Sequence, residues 1–338
     1  MPEHDPARLA VEDAPALARF LAARGISRRP LVVAPVGEGH SSVTYLVEDA
    51  TGSRWIVRRP PEGADGTHDV LREARFLDAV SRAGFPAPAV LATAGPGEAL
   101  EVPCFVMHYV PGIVLTTDIA PLDESARARA GESMIETLAA LHALEPAELG
   151  LRGRPHGANA RQRDRYARLI ADTEGRPPRA FAALDAWLDA HLPAESGAAV
   201  VHGDYRVGNV LLDPTTGAVV AVLDWELAGV GDPLVDLGYL LACWAEPSGA
   251  QTPIEELGAA TAAPGFPSRR DLVERYARAT GAALERLDWY IAFAYWKLAV
   301  LYEHQRRLAE RGEGDPYYAG PEKVAAFLAA GERAATGR

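Results

Sequence analysis

Cysteine and lysine are almost missing from this sequence, and so is any long apolar run. Two cysteines in 338 residues, Cys104 and Cys243, make neither a disulfide framework nor a cysteine-rich zinc site, so a reducing, cytoplasmic setting is expected. Lysine occurs only as Lys297 and Lys323, near the carboxyl end. Any cation used in the first two thirds of the chain must therefore be arginine or a charged histidine. The longest apolar stretch, Trp289 to Tyr302, is shorter than the roughly 20 residues a spanning helix needs, and Lys297 interrupts it. It reads as a buried helix, and no membrane partner is expected. The amino terminus, M-P-E-H-D-P-A-R-L-A, lacks the basic-then-apolar order of a secretory signal. Basic charge is also in deficit: 34 Lys and Arg against 46 Asp and Glu leave a formal charge of −12. That is a poor footprint for neutralising nucleic-acid phosphates, and nucleic acid is not an expected partner.

What is present is a foldable chain. Hydrophobic residues make up 48% and charged residues 24%, near the averages for soluble globular proteins, and the length suggests two domains or one bilobal unit. An Ala/Leu-rich helix over Pro15–Arg24 ends at Gly25. Short apolar runs follow at 31–36, 42–47 and 54–59 and read as antiparallel strands with turns. Helical spacing returns over Asp69–Ala83 and stops at Gly84 and Pro86, and a strand-like V-P-C-F-V-M-H-Y-V spans 102–110. Pro111 and Gly112 break regular structure there, placing a lobe boundary between 1–110 and 111–338. Beyond it the pattern is mostly helical, with helices expected over 124–144, 159–171, 178–191, 234–245, 271–280, 284–311 and 321–335. Strands at about 199–202 and 210–223 interrupt them, the second with a Pro-Thr-Thr-Gly turn inside. A sheet-rich first part and a helical remainder make the class α+β.

The chemistry concentrates in V-V-H-G-D-Y-R-V-G-N-V-L-L-D-P-T-T-G-A-V-V-A-V-L-D-W-E at 200–226. Asp204 and Asn209 stand five apart on a loop that leaves one strand, and Asp224 ends a later hairpin strand. Singly, such residues are ordinary turn formers. Jointly, H-G-D-x-x-x-x-N at a strand exit followed by apolar-D-W matches the kinase catalytic loop and the metal-binding aspartate after it. Mg²⁺ takes hard oxygen ligands and bridges ATP phosphates, which the Asn209 amide oxygen and the Asp224 carboxylate suit. Asp204 is then left to orient a substrate hydroxyl and take its proton. His202 reads as structural.

H-G-D-Y-R-V-G-N, followed by V-L-D-W-E and G-D-P-L-V-D-L, resembles the aminoglycoside phosphotransferase and choline kinase superfamily, and most of all the branch that forms the amino-terminal domain of some acyl-CoA dehydrogenases. The resemblance runs in order over nearly the whole chain. It implies a protein-kinase-like bilobal fold, with a small antiparallel-sheet lobe and a larger helical one, and ATP-dependent, Mg²⁺-assisted phosphorylation of a small-molecule hydroxyl. In the first lobe it implies that G-E-G-H-S-S-V-T-Y at 37–45 covers the phosphates through Gly37, Gly39, Ser41 and Ser42; this branch often has Asn where Ser42 stands. It also implies a cation on the third strand and a helix glutamate to hold it. In W-I-V-R-R, alternation puts Arg58 on one face with Ile56, making it the phosphate-side candidate, and leaves Arg59 facing solvent. Glu73 is the natural partner of Arg58, or else a solvated helix charge. Adenine is expected to bond backbone groups around His108 and Val110, with Met107 either lining its pocket or filling core.

Other residues carry less. Asp232 and Pro233 read as the start of a helix, and Asp236 as the residue that buttresses the catalytic loop. Glu226 either faces the metal site or, as the plainer reading, is an exposed carboxylate. Arg206 holds either an anionic substrate group or a salt bridge within its loop. Trp244, Trp289, Tyr290, Tyr295 and Trp296 are spaced for packing. A protein kinase fits less well: Gly203 replaces the arginine of H-R-D, D-W-E replaces D-F-G, and few residues separate Asp224 from G-D-P-L. A non-catalytic pseudokinase is the contrasting class, and retention of Asp204, Asn209 and Asp224 argues against it. The acceptor is either a cationic aminoglycoside or amino alcohol, or a hydroxyacyl compound, which the branch favours. Oligomeric state and the choice of Mg²⁺ over Mn²⁺ are not legible.

Overall fold

Five strands and two helices near the amino end, and a long series of helices after them, divide the chain into two compact units. The computed structural model describes residues 13–28, 30–36, 42–61, 69–115, 122–154, 156–172 and 175–337. One unit takes Met1–Pro111 together with Ala221–Ala228; the other takes Gly112–Val220 and Gly229–Arg338.

In the first unit, α1 (Asp13–Ala23) precedes β1 (Leu31–Pro35), β2 (Val43–Asp49), β3 (Arg54–Arg59), α2 (Val70–Arg82), β4 (Val90–Ala94) and β5 (Cys104–His108). The strands form one sheet in the order β1-β2-β3-β5-β4, with every neighbouring pair antiparallel. Side chains alternate across such a sheet. Tyr45, Val47, Trp55, Val57, Cys104 and Val106 share one face, where they form a core with Leu17, Phe20 and Leu21 of α1. The opposite face carries Ile56, Arg58, Phe105 and Met107, with Ile56 paired to Met107 and Arg58 to Phe105. Helix α2 packs on β4 and β5. It starts where the Asp69 carboxylate accepts the Arg72 amide at 2.9 Å, which satisfies one orphan donor of the first turn.

Because the sheet is covered on both faces, alternation does not separate buried from exposed, and Arg59 does not face solvent. It lies on the face of Tyr45 and Val57, is 3% exposed, and donates to Tyr45 Oη at 2.9 and 3.2 Å and to the Pro60 carbonyl at 3.0 Å. Strand β4, V-L-A-T-A, completes the sheet after F-P-A-P, where no strand is expected from the sequence.

The second unit contains α3 (Glu124–His142), α4 (Ala158–Ile170), α5 (Ala182–Ala190), β6 (Ala199–Val201), β7 (Val210–Leu212), β8 (Val219–Val222), β9 (Gly229–Gly231), α6 (Leu234–Cys243), α7 (Pro253–Leu257), α8 (Arg269–Thr280), α9 (Leu287–Glu310) and α10 (Glu322–Ala335). Strands β6 and β9 pair antiparallel, and β7 and β8 form a hairpin whose second strand runs into the first unit at Ala221. All ten residues of α6 are buried, as expected of a helix that is apolar all round. It packs on α9, which also holds α4, α5 and α10. The α6–α9 approach is close enough that a Cβ on Gly238 would fall 2.6 Å from the Tyr290 carbonyl carbon. The apolar stretch 289–302 lies within α9, with Trp289, Phe293 and Trp296 stacked along it. Among the described residues no helix is long and apolar enough to cross a membrane.

Candidate functional site

Three segments of the first unit converge on Arg58. Its Nη1 meets Glu73 Oε1 of α2 at 2.7 Å, and its Nη2 donates to Asp224 Oδ1 at 3.1 Å. Arg58 and Glu73 are both buried, while Asp224 remains about one-third exposed at its side chain, 30%. Burial pushes the Glu73 carboxyl up, from 4.5 to about 7; Arg58 opposes the rise, and the charges of Asp224 and Glu226 add to it. Glu73 Oε2 is buried with no hydrogen-bond partner among the described residues. Glu226 is half-buried, not exposed as its position after Asp224-Trp225 suggests.

Asp224 has φ of 65°, the one non-glycine with positive φ among the described residues. Aspartate tolerates that region better than most side chains, at a cost of about 1–2 kcal/mol. The surroundings hold it there. The Val222 amide donates to the Pro86 carbonyl at 2.8 Å, and Trp225 packs edge-on against Phe85, with Nε1 donating to the Val222 carbonyl at 3.0 Å. Arg72 of α2 donates to the carbonyls of Glu226 and Ala228. Segment 221–228 is thus fastened to α2 and to Phe85 and Pro86 of the first unit.

Met107 lies on the Arg58 face of the sheet and is buried; His108 and Tyr109 are exposed and Val110 half-buried. The His108 amide is committed to the Ala89 carbonyl at 2.9 Å, so a ligand there can use the His108 carbonyl or Val110 but not that amide. Ser42 is buried at the entry to β2. Gly37, Gly39 and Ser41 lie outside the described residues.

In the second unit the loop after β6 is held by a buried carboxylate. Asp236 of α6 accepts the His202 amide at 2.6 Å and the Gly203 amide at 2.7 Å, and it lies 3.3 Å from His142 Nε2, whose other ring nitrogen meets Tyr276 Oη at 2.7 Å. Burial works to raise the Asp236 carboxyl, but the bond and charge of His142 and the donors at His202 outweigh it and hold the group below its ordinary range. Gly203 has φ of 84°, a conformation that favours glycine. The chain then presents Asp204, whose amide donates to His202 Nδ1 at 3.2 Å. His202 is therefore an acceptor inside the loop.

Asp204 and Asn209 meet directly. Asn209 Nδ2 donates to Asp204 Oδ2 at 2.7 Å and to the Asp204 carbonyl at 2.8 Å, which leaves the amide oxygen of Asn209 for another partner. Arg206 Nε lies 3.7 Å from Asp204 Oδ1, so the salt bridge within the loop is present. Two neighbours were not marked by their sequence positions. Tyr239 of α6 is a neighbour of Asp204: burial, with the Asp204 charge next, pushes its phenol far up, so it stays protonated at neutral pH. Lys297 of α9 donates to the Gly203 carbonyl at 2.6 Å. Periodicity places both residues among packing positions, and only their tertiary neighbours distinguish them. Asp232 likewise does more than start α6: it accepts from the Leu234 amide, Ser196, Asn159 Nδ2 and Tyr290 Oη.

The donors suit a nucleotide-bound divalent cation rather than a cage. Among the described residues no three acidic, histidine or cysteine side chains gather to hold a metal, but Mg²⁺ on ATP needs only one or two protein oxygens besides phosphates. The Asp224 carboxylate in the first unit and the Asn209 amide oxygen in the second are each oxygens of that kind.

Fold and geometry together define the class as the kinase-like phosphotransferases, α+β proteins with a sheet-bearing lobe and a helical one. A family model described as "Phosphotransferase enzyme family" matches residues 32–290, and the chain belongs to that family. The chain is 31% identical over 282 residues to acyl-CoA dehydrogenase family member 11 of Gallus gallus, covering 80% of this chain and 36% of that protein. It is 33% identical over 192 residues to the viomycin phosphotransferase of Streptomyces vinaceus, covering 54% of this chain and 63% of that one. A solved structure, the "putative aminoglycoside phosphotransferase" of Ralstonia eutropha JMP134, superposes with a TM-score of 0.79 at 25% identity, covering 96% of this chain and 98% of that one. The chain spans 26% to 36% of the length of the acyl-CoA dehydrogenase relatives it matches.

Proposed function

We propose that this chain transfers the γ-phosphoryl group of ATP, with Mg²⁺, to a hydroxyl of a hydroxyacyl compound. The observation that carries the nucleotide half of the reading is the junction of Arg58 with Glu73 and Asp224. A strand cation, a helix glutamate and an aspartate after a later strand are the parts a kinase uses to hold phosphates and metal. In this reading Arg58 keeps Glu73 and exchanges Asp224 for phosphate oxygens, which its planar guanidinium can grip in pairs. The loop with Gly37, Gly39, Ser41 and Ser42 offers backbone amides to the same phosphates. The His108 carbonyl and the Val110 amide take the adenine edge, with Met107 beside it. Mg²⁺ would be held by Asp224 and by the amide oxygen of Asn209. Bound Mg²⁺ supplies neutralisation of the β- and γ-phosphate oxygens.

Asp204 is the catalytic residue. Its carboxylate orients the acceptor hydroxyl and takes the proton as the hydroxyl oxygen bonds to phosphorus and the bridging P–O bond to ADP breaks. Positioning dominates such a step, and the bond from Asn209 fixes the carboxylate for it. Support for a hydroxyacyl acceptor comes from the acyl-CoA dehydrogenase family members among the relatives and from Arg206 beside Asp204, a cation suited to an anionic acyl compound.

The first test needs no acceptor. MgATP should raise the thermal midpoint of the wild type by mass action, and Asp224→Ala should lose the metal-dependent part. A panel of hydroxyacyl compounds, amino alcohols and amino sugars then identifies the acceptor. Absence of any shift at millimolar ATP would refute the kinase reading. Turnover of amino sugars alone would refute the hydroxyacyl one.

A further inference from the structure

The residue before Asp204 is held at both ends of its backbone. Its amide, Gly203 N–H, donates to Asp236 Oδ1 at 2.7 Å, and its carbonyl accepts from Lys297 Nζ at 2.6 Å. That carbonyl belongs to the peptide unit whose nitrogen is the Asp204 amide, so its orientation sets where the Asp204 Cα begins. Asp236 rises from α6 and Lys297 from α9, two helices packed so that a Cβ on Gly238 would crowd the Tyr290 backbone.

Lys297 is one of only two lysines in the chain. It is 2% exposed, and among the described residues no carboxylate lies within ion-pair distance of it. Burying a basic side chain without an acidic partner is expensive, and such groups persist where other interactions hold them. Here those are the Gly203 carbonyl and two ring faces, Tyr239 with its centroid 4.5 Å from Nζ and Tyr166 with its centroid 5.5 Å away. The Asp204 charge acts on the Tyr239 phenol, which makes that ring a neighbour of Asp204. Lys297 thus touches the turn before Asp204 and the ring beside it, while its stem is buried. A residue kept only for packing would be met as well by methionine or leucine, without a buried amino group to satisfy.

We infer that Lys297 is a positioning residue for Asp204: its amino group clamps the Gly203 carbonyl and braces Tyr239, so that the loop presents the Asp204 carboxylate in one orientation. This rests on the proposed kinase reading for its catalytic consequence, but not for the clamp itself. A displacement on the order of 1 Å at a reacting group can cost about 10²-fold in rate, so the clamp is expected to act on turnover rather than on ATP binding.

The test compares wild type, Lys297→Met and Lys297→Arg in the full chain. Hydrogen exchange reads the clamp without any substrate. In Lys297→Met the amides of His202, Gly203 and Asp204 should exchange at least about 10-fold faster, with α6 and α9 changed by less than about threefold, and Lys297→Arg should restore most of the protection. Unchanged loop exchange, or an equal rise throughout α6 and α9, would overturn the inference in favour of a packing role. With the acceptor from the panel, Lys297→Met should lower kcat about 10- to 100-fold while KM for MgATP stays within about threefold, and Lys297→Arg should recover it. Equal kcat in Lys297→Met and wild type would overturn it as well. If the wild type turns over no acceptor, the kinase reading falls, and the exchange comparison still decides the clamp.

Discussion

Replacing Glu73 by glutamine should make the protein more stable, and increasingly so as pH rises. The carboxyl of Glu73 is raised from 4.5 to about 7, chiefly by burial. A carboxyl with a raised folded-state pKa binds its proton more tightly folded than unfolded. Its ionisation therefore opposes folding, beginning above the unfolded value near 4.5 and reaching its full extent above about 7. With those two values the linkage relation gives a destabilisation under about 1 kcal/mol at pH 5 and about 3 kcal/mol at pH 8. Glutamine keeps the shape and cannot ionise, so it mimics the protonated side chain at every pH. Arg58 loses a charged partner but keeps Asp224. The stability of Glu73→Gln relative to wild type, from urea denaturation, should thus widen by about 2–3 kcal/mol between pH 5 and pH 8. A difference that stays constant over that range would refute the reasoning, because Glu73 would then titrate at its ordinary value. The same variant should bind MgATP more weakly, since Glu73 no longer anchors Arg58; stability and function oppose each other at this position.

Asp204→Ala should reduce turnover by about 10²-fold or more while the thermal shift with MgATP is retained, and undiminished turnover would remove Asp204 from the chemistry. Arg58→Ala should weaken MgATP binding, measured by calorimetry, by about 10-fold or more, as expected when a charge-assisted phosphate contact is lost. Unaltered binding would exclude Arg58 from phosphate contact. Gly238→Ala would drive a methyl group to 2.6 Å from the Tyr290 backbone, so α6 and α9 must separate, at about 1–3 kcal/mol or more by overpacking. An unchanged denaturation midpoint would mean that the helices can give way.

Much of the loop after β6 was legible because its signal is local. His202, Gly203, Asp204 and Asn209 lie within eight residues between apolar strands, and the bonds that join Asp204 to Asn209 follow from their spacing on one short loop. The helices of the second unit other than α7 showed through their periodicity, and the stretch from Trp289 to Tyr302 read as buried because it is. The departures have a common origin. Arg59 is buried because both faces of the sheet are covered, Glu226 is half-buried because segment 221–228 returns to the first unit, and β4 exists because β5 offers it an edge.

By itself the sequence determined which residue types were available: arginine rather than lysine in the first two thirds, an Asp/Asn loop, an aspartate at the end of a later strand, and an apolar series long enough for a central helix. It determined the α+β class too, since strand and helix periodicities are written in consecutive residues. Only the tertiary structure decided which distant groups meet. Arg58 joins Glu73 and Asp224 across 15 and 166 positions, and Lys297 reaches Gly203 across 94. Hydropathy records whether a side chain can leave water, not which partner it finds there. That partner is set by how helices and strands pack, and packing is a property of the whole chain.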